Sequence, residues 1–532
     1  MDLSVPRIAS GGRSLAERSE SHIADGSPAS STHIMQRGVP LAVRLSRRAF
    51  SATPKPAAKA APAPAKTAAA PGLRNVVLVD GCRIPFQPAM TTYKNLVAYD
   101  LARLALTGLL TKSGMPPAEI EYILMGTVIQ EAKNANIARD AALGAGIPHT
   151  VPAHTVTQAC ISSNQAICSA ISAIQCGQYD VVVAGGVETF SDVPIRFSKK
   201  IRERMLKSQK AKGAKDYLKL LKGLGAKDLA PDLPAIANFT TGEVMGKSCD
   251  RLADKFGVTR SESDEFALAS HLNAAKAHAD GIYDDEVVPY EGSRAENGIR
   301  ADNKLDKMAG LKAAFVKPFG TVTAANASFL TDGASATLLM AEETALARGY
   351  KPKAYLRNWA FVSCDPFEEM LLGPAYAATK VLRSAGLGAQ DLDVIEFHEA
   401  FAGQVLANLK ALDSQKWCAR APPDSTAEPC PPHLHPTTAK PSPPNPSRPR
   451  KIWLRFDSSV PGGGTKIGAM DMSKFNKHGG SLSIGHPFGA TGARLVTTVA
   501  NRLQREGGRF GLVAACADGG IGHAALVERY PN

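Results

Sequence analysis

One supersecondary unit is written twice in this 532-residue chain. The first copy is a helix-forming run followed by Gly177-Gln178-Tyr179-Asp180-Val181-Val182-Val183-Ala184-Gly185-Gly186. The second is a helix-forming run followed by Gly508-Arg509-Phe510-Gly511-Leu512-Val513-Ala514-Ala515-Cys516-Ala517-Asp518-Gly519-Gly520. In each, glycine stops the helix, a short apolar run suits a buried strand, and a glycine pair closes it. Such a repeat constrains the chain to a duplicated α/β plan. The flanking pattern agrees. A strand at 75–79 is followed by a helix near 94–112, a strand near 122–126, a helix near 135–145 and a strand near 154–158. A further helix then runs from Cys160 to about 175. The second half offers a strand at 394–397, helices near 399–411 and 491–505, and a strand at 510–515. Strands alternating with helices predict a mostly parallel sheet.

Three regions depart from this plan. Residues 35–73 contain Arg37, Arg44, Arg47 and Arg48 and no acid, the composition of a mitochondrial presequence. Met35 is the expected start, because Asp2, Glu17, Glu20 and Asp25 break the pattern before it. Cleavage is expected after Arg47-Arg48-Ala49-Phe50, and residues 53–71 form a Pro/Ala/Lys linker. Residues 1–72 are therefore set apart from a first half at 73–345 and a second half at 346–532. Within the first half, about 192–320 reads as an inserted loop domain. It opens on a basic amphipathic stretch, 199–227, that suits an anionic membrane face, a ligand phosphate or a solvated helix pair. Few aromatics occur there, which argues against nucleic acid. Residues 415–462 hold about a third of the prolines without periodicity, and read as an irregular insert or a gene-model artefact.

Composition narrows the function. Hydrophobic residues make up 44% and charged residues 21% of the chain, and no apolar run reaches the length of a membrane span. Nine cysteines without a CxxC pair suggest reduced thiols and no metal site.

The chemistry sits in sharp turns among small residues. Cys160 opens a predicted helix, whose unpaired N–H groups would favour a thiolate. His486 lies in Gly485-His486-Pro487-Phe488-Gly489, where the backbone can approach a thiol closely. Cys516 ends an apolar strand beside Gly519-Gly520, and strand ends are where α/β sheets build sites. His398, in His398-Glu399-Ala400-Phe401, follows a strand and could donate to a carbonyl oxygen. For each cysteine alone the bland alternative is an apolar filler, as expected for Cys168 and Cys176. Two thiols and an imidazole converging on one pocket would suit acyl transfer between sulfurs.

Taken together these stretches resemble the thiolase family. The resemblance rests on Gln158-Ala159-Cys160-Ile161-Ser162-Ser163, Gly185-Gly186-Val187-Glu188, Gly320–Ser328 with Asp332-Gly333-Ala334, His398-Glu399-Ala400-Phe401, Gly485–Gly492 and Cys516–Gly520. It implies the thiolase fold: two βαβαβαββ halves packed as αβαβα layers with an inserted loop domain. It also implies catalytic roles for Cys160, His398, His486 and Cys516, and an oxyanion hole from the backbone N–H groups of Cys160 and Asp518. Met245, Ser328, Ala400, Phe401 and Gly519 would line the pantetheine channel. Coenzyme A would be a substrate, with no cofactor and no metal. Asp518 stands where the family usually has glycine. The His-Glu-Ala-Phe form, the basic stretch and Leu229–Ala235 are similar to long-chain 3-ketoacyl-CoA members of fatty acid β-oxidation. That implies a homodimer joined to an α subunit carrying hydratase and dehydrogenase activities, on the matrix side of the inner mitochondrial membrane. Two alternatives are an acetoacetyl-CoA thiolase and a non-catalytic structural or lipid-binding subunit. Ketoacyl synthases pair one cysteine with two histidines, so Cys516 speaks against them.

Overall fold

The computed structural model describes residues 73–234, 237–418 and 466–531. The expected presequence and linker, and all of the Pro-rich insert after residue 418, lie outside the described residues.

The first half runs β1 (Val76–Arg83), a short β2 (Gln87–Pro88), α1 (Ala98–Ser113), β3 (Tyr122–Gly126), α2 (Ile137–Gly144), β4 (Ala153–Val156), α3 (Ser162–Gln175) and β5 (Val181–Glu188). The chain then leaves the sheet through α4 (Lys199–Ser208), α5 (Ala214–Leu221), α6 (Met245–Lys255), α7 (Arg260–Ala279) and α8 (Leu305–Ala309). It returns as β6 (Thr331–Ala341), and α9 (Glu342–Ala347) links the halves. The second half runs β7 (Ala354–Ser363), α10 (Gly373–Ser384), β8 (Val394–Phe397), α11 (Ala402–Leu412), α12 (Gln415–Cys418), α13 (Ser481–Ile484), α14 (Thr491–Glu506), β9 (Phe510–Ala517) and β10 (Ile521–Arg529).

The hydrogen-bonded order is β4-β3-β5-β6-β1-β7-β10-β9-β8. Every residue of β5 and β6 is buried, as expected for strands covered on both faces. The sheet is mixed rather than mostly parallel. Among the described residues only the strand pairs β3–β4, β3–β5 and β8–β9 are parallel; the centre is antiparallel. The reason lies in the connections. β9 turns straight back into β10 through Asp518-Gly519-Gly520, and β6 comes back from the loop excursion without a crossover helix.

Three apolar cores divide this sheet into two leaves. One packs α1 and α2 on the outer face of the first leaf through Leu101, Leu106, Ile137, Val183 and Leu338. A second packs α10 and α11 on the outer face of the second through Val381, Val405, Leu512 and Leu526. The third holds α3 and α14 between the leaves, through Ile167, Ile171, Val496 and Val499 against Val182, Leu339, Val513 and Val527. The result is the five-layer αβαβα order. Between the central helices, Ser163 Oγ accepts from the Ala493 N–H at 3.0 Å, so the first turn of α3 satisfies an open donor of α14. The second half repeats the plan with one loss. Where β4 stands in the first half, the second has, among the described residues, a single bridge from Phe475 to Ile395.

The first four residues counted with the expected insert, 415–418, belong to the fold. Gln415–Cys418 form a helical turn because Trp417 and Cys418 bury against the outer core of the second leaf. The chain re-enters beside its exit: the N–H groups of Ile467 and Gly468 both donate to Leu412 O, at 3.1 and 3.3 Å.

Candidate active site

Cys160 sits two residues before α3, at the apex of a tight turn rather than in the helix. Ala159 holds a left-handed backbone, φ +47°, which a residue with a Cβ rarely adopts. Ser162 sustains the turn. Its hydroxyl donates to Ala159 O at 2.7 Å and accepts from the Gln158 N–H at 2.8 Å. The thiol is thereby presented at a leaf edge while remaining 4% exposed.

The loop of His486 is held by β5 and β6. Thr331 Oγ1 accepts from the His486 N–H at 2.9 Å, and the Glu188 carboxylate accepts from the Gly489 N–H at 3.0 Å. Gly186 and Gly489 come so close that a Cβ on either would strike the other's segment, so both positions need glycine. On the ring, Nδ1 lies 2.6 Å from Thr491 Oγ1, and that hydroxyl donates to Pro487 O at 3.0 Å. Its only proton being committed, Thr491 accepts from Nδ1–H. Nε2 is left as a bare lone pair.

His398 continues β8, its N–H donating to Ala514 O at 2.8 Å. Glu399 turns away from the site. It ties together α7, α13 and the chain at 476, accepting from Ser270 Oγ at 2.8 Å, the Leu482 N–H at 3.1 Å and Asn476 Nδ2 at 2.6 Å.

These elements bring three reactive groups together. Cys160 Sγ and a ring nitrogen of each of His398 and His486 lie within 4.8 Å of one another, all buried. The two imidazole centroids are 3.9 Å apart. Both Nε2 atoms are buried without a protein partner, as expected of groups aimed at a ligand. Cys516, fully buried near the end of β9, is close enough that a negative charge on Cys160 would raise its pKa further.

Burial governs the protonation states. It pushes the Cys160 thiol up to about 12, against a smaller lowering by the backbone N–H groups of Asp518 and of Cys160 itself. Cys516 is raised well above the ordinary thiol range, again by burial first. His398 falls to about 3 through burial and then the charge of Arg494; His486 falls well below the ordinary value for the same reasons and through His398. The expected thiolate is therefore not the resting state. Cys160 lies just outside the helix, where desolvation outweighs the helix N-terminus. The resting pair is a neutral thiol beside a neutral imidazole.

Asp518 does not take a left-handed backbone, so a side chain fits where the family usually has glycine. Its Oδ2 accepts from Asn238 Nδ2 at 2.9 Å, carrying the carboxylate toward the turn that precedes α6. Of the expected channel residues, Ser328, Ala400 and Phe401 meet: the Ser328 N–H donates to Ala400 O at 2.9 Å, and Ala327 bridges to Phe401. Met245 and Phe401 pack on the core that contains Cys516, and Gly519 has a left-handed backbone, φ +84°. The sequence reading gave no role to Ser481, Thr491, Asn476 or Glu188. Glu188 and Thr491 lie within the quoted motifs; Ser481 and Asn476 are ordinary polar residues whose partners are settled by folding.

The thiolase N-terminal domain family matches residues 76–343 and the thiolase C-terminal domain family residues 350–529. The chain belongs to the thiolase family. It is 52% identical over 472 residues to the trifunctional enzyme subunit beta, mitochondrial, of Bos taurus, covering 88% of this chain and 91% of that one. It is 46% identical over 478 residues to a probable 3-ketoacyl-CoA thiolase of Caenorhabditis elegans, covering 89% and 97%. The crystal structure of human mitochondrial 3-ketoacyl-CoA thiolase superposes with a TM-score of 0.68 at 26% identity, covering 86% of this chain and all of that one.

Proposed function

We propose that this protein cleaves long-chain 3-ketoacyl-CoA with CoA, giving acetyl-CoA and a shortened acyl-CoA in fatty acid β-oxidation. The observation that carries the reading is the buried cluster of Cys160 Sγ with His398 and His486 within 4.8 Å, beside a second buried thiol.

His486 Nε2 takes the Cys160 proton as the sulfur attacks the 3-keto carbon. Backbone N–H groups of Cys160 and Asp518 stabilise the resulting alkoxide. Its collapse breaks the Cα–Cβ bond, and the electron pair becomes an acetyl-CoA enolate whose oxygen faces His398 and His486. Cys516 protonates the enolate carbon, leaving the shortened acyl group on Cys160. The Cys516 thiolate then takes the proton of incoming CoA, which attacks the thioester. Cys160 departs and recovers its proton from His486. Met245, Ser328, Ala400, Phe401 and Gly519 line the pantetheine path.

The similarity to a mitochondrial subunit supports a matrix location and assembly of a homodimer with a hydratase/dehydrogenase α subunit. The helix pair α4–α5 supports contact with an anionic membrane there. Arg204 Nη1 clasps α5 through Leu220 O at 2.9 Å, while Met205, Leu206 and Leu218 stay exposed among lysines.

The test is intact-mass analysis after adding a long-chain 3-ketoacyl-CoA without free CoA. An acyl adduct on Cys160, absent in Cys160→Ser, is expected. No adduct would favour a scaffolding subunit, and turnover confined to four-carbon substrate would favour an acetoacetyl-CoA thiolase. Charge reversal of Lys207, Lys210 and Lys215 should weaken binding to anionic vesicles; unchanged binding would remove the membrane contact.

A further inference from the structure

We infer that Ser481, aimed by Arg494, is a positioning residue that keeps the hydrogen of His398 on Nε2, so that this ring acts only as an oxyanion donor. The inference rests on the proposed role of His398 facing the enolate oxygen.

Ser481 is fully buried at the start of α13, and its Oγ lies 3.0 Å from His398 Nδ1. Arg494 Nη2 reaches the same oxygen at 3.4 Å, and a guanidinium can only donate. Arg494 is 1% exposed and aimed by Glu396, whose Oε2 accepts from its Nη1 at 3.3 Å. Glu396 is held in turn by Arg502 at 2.9 Å. Two arrangements of the Ser481 hydroxyl remain. If Nδ1–H donated to it, the oxygen would accept twice and its own hydrogen would have no protein acceptor among the described residues. If the hydroxyl donates to Nδ1, the serine hydrogen, the Nδ1 lone pair and the Arg494 Nη2 donor all have partners, and burial favours that state. Burial and the nearby Arg494 charge also keep His398 neutral, so it carries one ring hydrogen. That hydrogen is then on Nε2, the buried atom that has no protein partner.

The second histidine is wired the opposite way. Thr491 passes its proton to Pro487 O and accepts from His486 Nδ1. Two rings 3.9 Å apart thus present opposite faces to one ligand: a bare Nε2 on His486 and an Nε2–H on His398. Without the Ser481 hydroxyl, Nδ1 loses the donor that holds its lone pair, and the hydrogen of His398 is free to occupy either nitrogen.

The experiment is a double-mutant cycle in the full chain, reading kcat and KM for CoA. Ser481→Ala should lower kcat about 10–100-fold, with KM for CoA within about twofold of the parent. His398→Asn supplies an amide N–H that needs no serine to orient it. In that background Ser481→Ala should change kcat by less than about twofold. A serine that only supports folding would cost the same in both backgrounds, and that result would overturn the inference. So would a Ser481→Ala enzyme as fast as the parent while His398→Ala is impaired. A fully active His398→Ala enzyme would instead remove the role of His398 on which the inference rests.

Discussion

The two halves share a plan but not their labour. In the first, β4 runs as a full strand into the turn that lifts Cys160 before α3. In the second, the corresponding strand has shrunk to Phe475, and side chains replace the ladder. Asn476 Oδ1 accepts from the Phe397 N–H and its Nδ2 donates to Phe397 O, both at 2.9 Å, at a left-handed backbone of φ +37°. The loop so released carries Ser481 and His486 to the nucleophile. A rigid strand serves a group that must be held in one strained turn. A loop fixed by side-chain hydrogen bonds can instead deliver two polar residues from one short stretch.

The largest tests of this contrast remove one group from each half. Cys160→Ser and His486→Ala should each lower turnover by about 10⁴-fold, because nucleophile and base act as one unit. Combined, they should cost little more than either alone; additive losses would mean the halves act independently. Next comes Cys516→Ala, expected to lower steady-state turnover by about 10²–10⁴-fold while acylation of Cys160 survives in single-turnover mass measurements. Equal rates for mutant and parent would take Cys516 out of the mechanism.

A smaller effect probes the loop that replaced the strand. Asn476→Ala strips partners from three buried groups and should cost about 3 kcal/mol in denaturant unfolding. A change under about 0.5 kcal/mol would show that the loop does not depend on this side chain.

The smallest effects concern pH. Burial holds His398 near 3, whereas the unperturbed value is 6.5. The unfolded chain therefore binds this proton first as pH falls. Stability from the group is complete above 6.5 and drains away toward 3. His398→Asn should flatten acid unfolding across that window; an identical slope would show that the ring is solvated. Because burial raises Cys160 to about 12, its alkylation by iodoacetamide should climb through pH 9. A plateau near neutrality would reveal a preformed thiolate.

Much of this was legible before folding was considered. β3, β8, α3 and α14 lie within a few residues of where apolar runs and glycine stops predict them. β6, β7 and β10 were not foreseen. β6 and β7 find antiparallel partners far away in sequence, as in the β1–β6 pairing of Val76 with Ala341, and β10 joins its neighbour β9 to the distant β7; nothing local signals those long-range pairings. His486 and Cys516 stood out because glycine- and proline-rich turns mark where a backbone must bend, and Cys160 and His398 because each opens a predicted helix after a strand. Ser481 did not, nor did the role of Thr491 within its motif, because a hydroxyl looks the same whether it meets water or an imidazole.

Local pattern by itself determined the repeated α/β units, the sharp turns and the residue types within them, since propensity and periodicity act over a few residues. Only tertiary structure decided which groups share a pocket, which ring nitrogen carries a proton, and that Cys160 rests as a neutral thiol. Those are matters of desolvation and of partners brought in from distant segments, and neither exists until the two leaves close over the central helices.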